Sequence, residues 1–234
     1  MLANLYNQIL YEPLYKFLAF LCNTIPGHDL GIAIIVLTLL IRVILFPLSQ
    51  KSIKSQMRMA QFKDQIKDIQ NKYKSKEEQS RELMKFYKEN KINPFSGCLP
   101  LIIQLPILLA LYRVFINVLD PKNGLLLGHT FLGIIDLSVA SPILAILAGV
   151  SQFFASRLAM KRTVTMPQPG ASDKTANAQK SMSKQMAYFF PIITIFIAWK
   201  FPAGLAFYWV VSTVLGLIQD YYLYNKYGGN QKNS

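Results

Sequence analysis

The chain has 234 residues, of which 52% are hydrophobic and 16% are charged. Several apolar runs are longer than a soluble domain of this size needs, so the composition predicts a polytopic membrane protein. Lys and Arg number 25 against 12 Asp and Glu, but they lie mostly between the apolar runs, so membrane topology explains the net charge of +13 better than sequence-specific nucleic-acid binding does.

Residues 1–30 are predicted to form an extracytoplasmic amphipathic helix at the membrane interface. Their apolar side chains recur at helical spacing, but polar residues and Pro13 interrupt the pattern. The run 14–25 is too short to cross a bilayer and follows no basic segment, so we expect neither processing nor lipidation at Cys22. A spanning segment, or a leader removed before Met1, is the alternative.

Residues 31–48 form an unbroken apolar stretch that contains one charged residue, Arg42. A helix of this length is about 27 Å long, close to the hydrocarbon thickness, so it is the first predicted transmembrane span. An arginine inside a span costs at least about 2.5 kcal/mol, so Arg42 is expected to face polar surroundings. Either its side chain snorkels to the interface about 9 Å away, or it is a functional internal charge.

Residues 49–97 are predicted to be a cytoplasmic helical hairpin. They carry 12 Lys or Arg and 6 acidic residues, and their apolar residues recur at spacings of three and four. A capping box at Ser75–Glu78 opens the second helix. The predicted seam consists of Met59, Phe62, Ile66, Ile69 and Tyr73, which can face Leu83, Phe86 and Tyr87.

After the first span, four more are predicted, which makes five in all. Span four is short, because its apolar core covers only 187–199. Ser141 and Pro142 are suited to begin the helix of the third span. Arg113, near the end of the second, is expected to snorkel outward without a function. The spans are 98–118, 142–158, 185–199 and 203–224, with an extracytoplasmic loop at 119–141, a mobile cytoplasmic loop at 159–184 and a cytoplasmic tail at 225–234.

The basic residues predict the orientation. There are 12 in 49–97, 6 in 157–184 and 2 in the tail, whereas the opposite side has only Lys16, Lys122 and Lys200. The positive-inside rule therefore places the N-terminus outside and the C-terminus in the cytoplasm. Anionic lipid is the expected partner of the cytoplasmic face. Cys22 and Cys98 lie on opposite sides in this topology, so both are expected to be free thiols.

Polar side chains inside the spans share helical faces and could converge around Arg42 in a hydrophilic groove. Ordinary hydrogen bonding between helices is the alternative for each of them. The candidate substrate-groove residues are Arg42, Thr38, Gln104, Gln152, Tyr208, Ser212 and Gln219. We expect no metal, cofactor or catalytic residue, because the sequence has no protease motif and both histidines lie in the predicted outside segments.

Four motifs resemble those of the YidC/Oxa/Alb membrane-protein insertases. They are Ile41–Leu48, Asn93–Ile107 followed by Leu111-Tyr112, Met182–Met186, and Phe201–Trp209. The resemblance implies a five-helix core whose groove opens to the cytoplasm, where the arginine matching Arg42 attracts acidic or polar parts of an incoming chain. It also implies that the hairpin, matching residues 51–91, helps recruit substrate. The implied partners are nascent membrane proteins, the translating ribosome and the Sec translocon.

The resemblance has two departures. No large extracytoplasmic domain is present, which is typical of the minimal, Gram-positive type, and the short tail argues against tail-mediated ribosome docking. We therefore expect an all-α polytopic protein of the bacterial plasma membrane, with five transmembrane helices around a groove, that acts as an insertase and not as an enzyme. A small-solute transporter would usually show a repeat of broken helices. A passive scaffold that anchors the hairpin is the other alternative.

Overall fold

The computed structural model describes residues 2–73, 75–93, 99–119, 129–162 and 188–228. The described part is mostly helical. Its helices are α1 (Leu2–Tyr6), α2 (Glu12–Thr24), α3 (Leu30–Gln61), α4 (Lys63–Lys72), α5 (Lys76–Glu89), α6 (Leu99–Val118), α7 (Pro142–Arg162), α8 (Tyr188–Lys200) and α9 (Ala203–Gly228). A π-helical segment, Asn7–Tyr11, joins α1 to α2, and a 3-10 turn, Pro26–His28, follows α2.

Three helices are long and apolar enough to cross a membrane. The qualifying segments are Leu30–Gln61, Pro142–Met160 and Ala203–Tyr227, with mean hydropathies of 2.6, 1.6 and 1.3. Two shorter apolar helices, Ile102–Val118 and Tyr188–Lys200, coincide with the second and fourth predicted spans. The prediction that α7 begins after Ser141 is confirmed, because the Leu144 amide donates to Ser141 Oγ at 3.4 Å and Pro142 is the first helical residue.

The chain divides into two compact units, and the first comprises residues 1–46, 101–152 and 191–218. Its core joins buried residues of α2, α3, α6, α7, α8 and α9. Small residues allow the helices to approach closely, as is common in membrane bundles. A Cβ on Gly149 of α7 would collide with the side chain of Ile195 on α8.

The N-terminal helix is attached to this core. Leu18 and Cys22 of α2 are fully buried. Arg113 at the end of α6 donates from Nη1 to Asn7 Oδ1 at 2.8 Å and lies 4.7 Å from the centre of the Tyr11 ring. Arg113 is exposed, as expected for an arginine that snorkels outward, and its guanidinium contacts the segment between α1 and α2.

A short antiparallel β-hairpin is the departure from the all-α prediction. Thr130–Phe131 (β1) pairs with Ile135–Asp136 (β2), with Phe131 opposite Ile135. The turn between them needs two left-handed residues, Leu132 at φ 53° and Gly133 at φ 70°. Two-residue strands are too short to produce a readable alternation of apolar and polar residues, so the sequence did not predict them.

The second unit comprises residues 47–100, 153–190 and 219–234. Its described core contains most of the predicted seam: Met59, Ile66, Leu83 and Tyr87 are buried together with Ile92, which was not predicted, and Phe62, Ile69 and Phe86 pack against them. The rings of Phe62 and Phe86 meet edge to face at 5.5 Å. Tyr73 does not belong to this cluster. The predicted capping box is not formed, since the Ser75 side chain makes no hydrogen bond to the start of α5.

Three helices extend beyond the predicted ends of their spans. The helix of the first span continues through Pro47 to Gln61, α7 continues to Arg162, and α9 continues to Gly228. Proline removes one backbone donor, but a single lost hydrogen bond does not end a helix that packing supports on both sides. Cys98 and most of the predicted mobile loop, residues 163–184, lie outside the described residues.

Cys22 is predicted to resist alkylation in the folded protein. Its side chain is fully buried, and burial together with the nearby Asp29 carboxylate raises the pKa of the thiol to about 12. At pH 8 only about one thiol in ten thousand is then the reactive thiolate. Maleimide labelling of a Cys98→Ser variant should give no adduct in the native protein and complete modification after denaturation. Rapid native labelling would contradict the buried position of Cys22.

Candidate functional site

The first unit contains a polar cluster that we define as Arg42, Gln104, Tyr208 and Ser212. Arg42 lies on α3, between the buried Ile41 and the exposed Val43. Its Nη2 donates to Ser212 Oγ at 3.1 Å and also to the Ser212 carbonyl oxygen. Ser212 lies on α9 and is 5% exposed, so the guanidinium points towards a neighbouring helix. Ser212 is neutral, so the contact orients the guanidinium without cancelling its charge.

The cluster continues from Ser212 to α6. Tyr208 lies one turn before Ser212 on α9, so the two side chains share one face of that helix. Gln104 Nε2 on α6 donates to the Tyr208 hydroxyl at 3.0 Å. Tyr208 itself is 1% exposed. Buried hydroxyl and amide groups in apolar surroundings need such partners, and the two bonds tie α3 and α6 to the same face of α9.

Gly216 is a member of this site that sequence reasoning missed. A Cβ placed on Gly216 would lie 2.6 Å from Arg42 Nη2 and 2.9 Å from Nη1. The guanidinium therefore lies directly against the α9 backbone, at a place where any other residue would displace it. The signal was present in the sequence, because Gly216 follows Ser212 by four residues and so shares its helical face.

The remaining candidates make other contacts. Thr38 is buried one turn before Arg42 and donates to the Ile34 carbonyl of its own helix at 2.6 Å. Gln152 on α7 accepts a hydrogen bond from Trp209 Nε1 at 3.2 Å, so it forms a second pair with α9. Trp209 was not among the predicted residues, because a tryptophan in a span is more often a packing or interface residue.

Gln219 belongs to the second unit. Its amide nitrogen is buried and has no hydrogen-bond partner within the part of the chain that the structure describes. The described contacts thus join Arg42 to Ser212 and Gln104 to Tyr208, whereas the contacts given for Thr38 and Gln152 go to other residues. Within the same described residues, no group of three His, Cys, Asp or Glu side chains is placed to hold a metal ion.

Comparisons with known proteins identify the family of the whole chain. The family model described as 60Kd inner membrane protein matches residues 21–231. The membrane protein insertase YidC 1 of Lactococcus lactis is 38% identical, over 96% of this chain and 78% of its own length. The membrane protein insertase YidC of Fusobacterium nucleatum is 35% identical, over 93% of this chain and 98% of its own.

The fold has a match among solved structures as well. A crystal structure of an active YidC insertase, with its first transmembrane domain resolved, is 28% identical and superposes with a TM-score of 0.60. The match covers 93% of this chain but 46% of the solved chain, so this protein spans about half the length of that one. By the family model, the two relatives and this shared fold, the chain is a bacterial membrane protein that belongs to the 60Kd inner membrane protein family, the family of the YidC membrane-protein insertases.

Proposed function

We propose that this protein inserts hydrophobic segments of nascent membrane proteins into the lipid bilayer, through a hydrophilic groove centred on Arg42. The observation that supports the proposal most is the contact of the Arg42 guanidinium with Ser212, inside a bundle of apolar helices. A charge in such a place is costly for the fold. This cost is explained if the positive charge interacts with a negatively charged segment of the client.

The proposed role of Arg42 is to offset the desolvation of client carboxylates. A carboxylate loses several kcal/mol of hydration when it leaves water, and an opposite charge nearby recovers part of this loss. Gln104, Tyr208 and Ser212 add neutral donors and acceptors for the client's backbone. The hydrophilic part of the client thus enters the groove while its hydrophobic part stays near lipid.

The driving force comes from the hydrophobic segment itself. Transfer of about 20 apolar residues from water to hydrocarbon is strongly favourable, so no nucleotide is required. We propose that this segment slides along the outer faces of α7 and α9, where large apolar side chains are exposed. These include Ile143, Ile146, Val150 and Phe154 on α7, and Val214 and Ile218 on α9.

We further propose five spans with the N-terminus outside and the C-terminus in the cytoplasm. The spans are the apolar parts of α3, α6, α7, α8 and α9, and the groove opens to the cytoplasm. The apolar core of the fourth span, 187–199, has 13 residues, about 20 Å of helix, which is shorter than a typical hydrocarbon layer. Local thinning of the bilayer beside α8 would lower the barrier for a polar segment.

The hairpin of α4 and α5 is the proposed recruitment element for the client, the translating ribosome and the Sec translocon. Most of its apolar residues are used in its own core, with Met84 as an exposed exception, and charged residues such as Asp64, Lys67 and Lys85 are exposed. Basic residues on this side would also contact anionic lipid headgroups. Such a hairpin offers charged side chains for recognition. The hydrophobic segment of the client would contact the outer faces of α7 and α9 instead.

Site-specific crosslinking to a stalled nascent chain tests the proposal. We expect a photoreactive residue at Gln104 to crosslink the hydrophilic segment of the client. The same residue at Leu109, which is 59% exposed on another face of α6, should not. A passive scaffold predicts no client crosslink at Gln104 even when insertion proceeds normally, and that result would refute the groove.

A further inference from the structure

The β1–β2 turn presents an unusual apolar tip. Ile134 is 81% exposed and Leu132 is 60% exposed, with Gly133 between them. These three residues form the whole turn between the two short strands. Two large aliphatic side chains at the tip of a turn are not explained by the turn's own geometry, which requires only residues able to adopt a positive φ. We define Leu132, Gly133 and Ile134 as the apolar tip.

The tip is held in a fixed position by its base. The Leu132 amide donates to Asp29 Oδ2 at 2.6 Å, and the other oxygen of Asp29 accepts from the Ile32 amide at 2.9 Å. Phe131 packs on Gly31, where a Cβ would collide with its ring, and meets the Phe207 ring at 4.8 Å. One carboxylate and one aromatic ring therefore connect the tip to the first turn of α3 and to α9.

The exposed apolar surface continues along the chain into a candidate membrane span. Val139 is 58% exposed after β2, and Ile143 is 72% exposed in the first turn of α7. Ile146 and Val150 follow on the same helical face and are also exposed. The connection is anchored, since the amide of Ala203 donates to the Val139 carbonyl and that of Gly204 to the Leu137 carbonyl. The exposed apolar face of α7 thus begins a few residues after the tip along the chain.

We propose that the apolar tip inserts into the bilayer, at the boundary between headgroups and acyl chains, on the side where α7 begins. Lipid suits this surface better than a protein partner, because two aliphatic side chains are far smaller than a stable protein interface. The proximity to an apolar span favours the same occupant. Through Asp29, Phe131 and the Leu137 carbonyl, the inserted tip sets the depth of the first turns of α3 and α9. This anchor does not depend on the proposed groove.

A fluorescent probe on the tip tests the proposal in vesicles of phosphatidylethanolamine and phosphatidylglycerol. The parent is Cys98→Ser, because Cys22 is buried and stays unlabelled. NBD is attached to Ile134→Cys, to Lys85→Cys as the water-exposed control, and to Ile146→Cys as the lipid-exposed control. We expect position 134 to show blue-shifted emission and severalfold stronger quenching by lipids with a doxyl group near the headgroup than position 85.

The other outcomes overturn the proposal. Emission and quenching at 134 equal to those at 85 would place the tip in water. Blue-shifted emission without quenching by doxyl lipid would show that protein covers it. A second variant tests the cause: with Ile134→Asp, a probe at Leu132→Cys should lose most of its lipid quenching. Unchanged quenching at 132 would mean that the tip's apolar character does not hold it in the bilayer.

Discussion

Replacing Arg42 with alanine is expected to reduce insertion of clients with acidic translocated segments about tenfold, because a hydrogen bond to a charged group contributes about 1.5–3 kcal/mol and tenfold corresponds to about 1.4 kcal/mol. Clients whose translocated segment carries Asn and Gln in place of Asp and Glu should change less than about twofold, because they gain little from the charge. The measurement is protease protection of matched reporter proteins in vesicles that contain equal amounts of each variant.

The controls separate the charge from the fold. Arg42→Lys keeps the charge but loses the guanidinium Nη2 that donates to both Ser212 oxygens, so it should recover part of the insertion of acidic clients. Arg42→Ala removes a charge that costs the span at least about 2.5 kcal/mol, so the variant itself should integrate no worse than the parent. An equal loss for acidic and neutral clients, at equal protein levels, would contradict the electrostatic role.

The polar cluster was largely predictable, because apolar surroundings offer a polar side chain few possible hydrogen-bond partners. In hydrocarbon a polar side chain must find a partner, so polar residues inside different spans are expected to meet one another. This reasoning identified Tyr208 and Ser212 from their spacing on one face of the fifth span, and Gln104 as an amide inside the second span. The same reasoning could not tell whether the Thr38 hydroxyl bonds to the cluster or to its own helix, since the carbonyl four residues earlier can accept its hydrogen bond equally well.

Other features could not be found by a search for polar side chains on shared helical faces. Gly216 has no polar atom in its side chain, so a search for polar faces passes over it, although its role depends on having no side chain. The Arg113–Asn7 bond joins residues that are 106 positions apart, and no periodicity predicts which polar residue a snorkelling arginine will meet. The continuation of α3 beyond Pro47 depends on packing at both ends of the helix, which the local preference of proline does not describe.

Gly216→Ala is expected to lower insertion of acidic clients about fivefold, because the guanidinium must leave its place on α9 and loses about 1 kcal/mol of hydrogen bonding. The added Cβ would lie 2.6–3.0 Å from three guanidinium atoms. These atoms are the end of a flexible side chain, so the helix can form unchanged while Arg42 moves. Alanine also has a higher helix propensity than glycine, so a loss of fold is not the expected cause. The measurement is the ratio of acidic to neutral client insertion.

Gly204→Ala on the same helix is the matched control. A Cβ there would meet its nearest neighbours at 3.5 Å, an ordinary van der Waals distance, and none of these neighbours is Arg42. This variant should leave the ratio unchanged. Combining Gly216→Ala with Arg42→Ala should give no further loss beyond Arg42→Ala alone, because both changes act on the same guanidinium. Additive losses would show that Gly216 acts through a route other than the position of Arg42, because Gly216→Ala would then reduce insertion even in a protein that lacks the guanidinium.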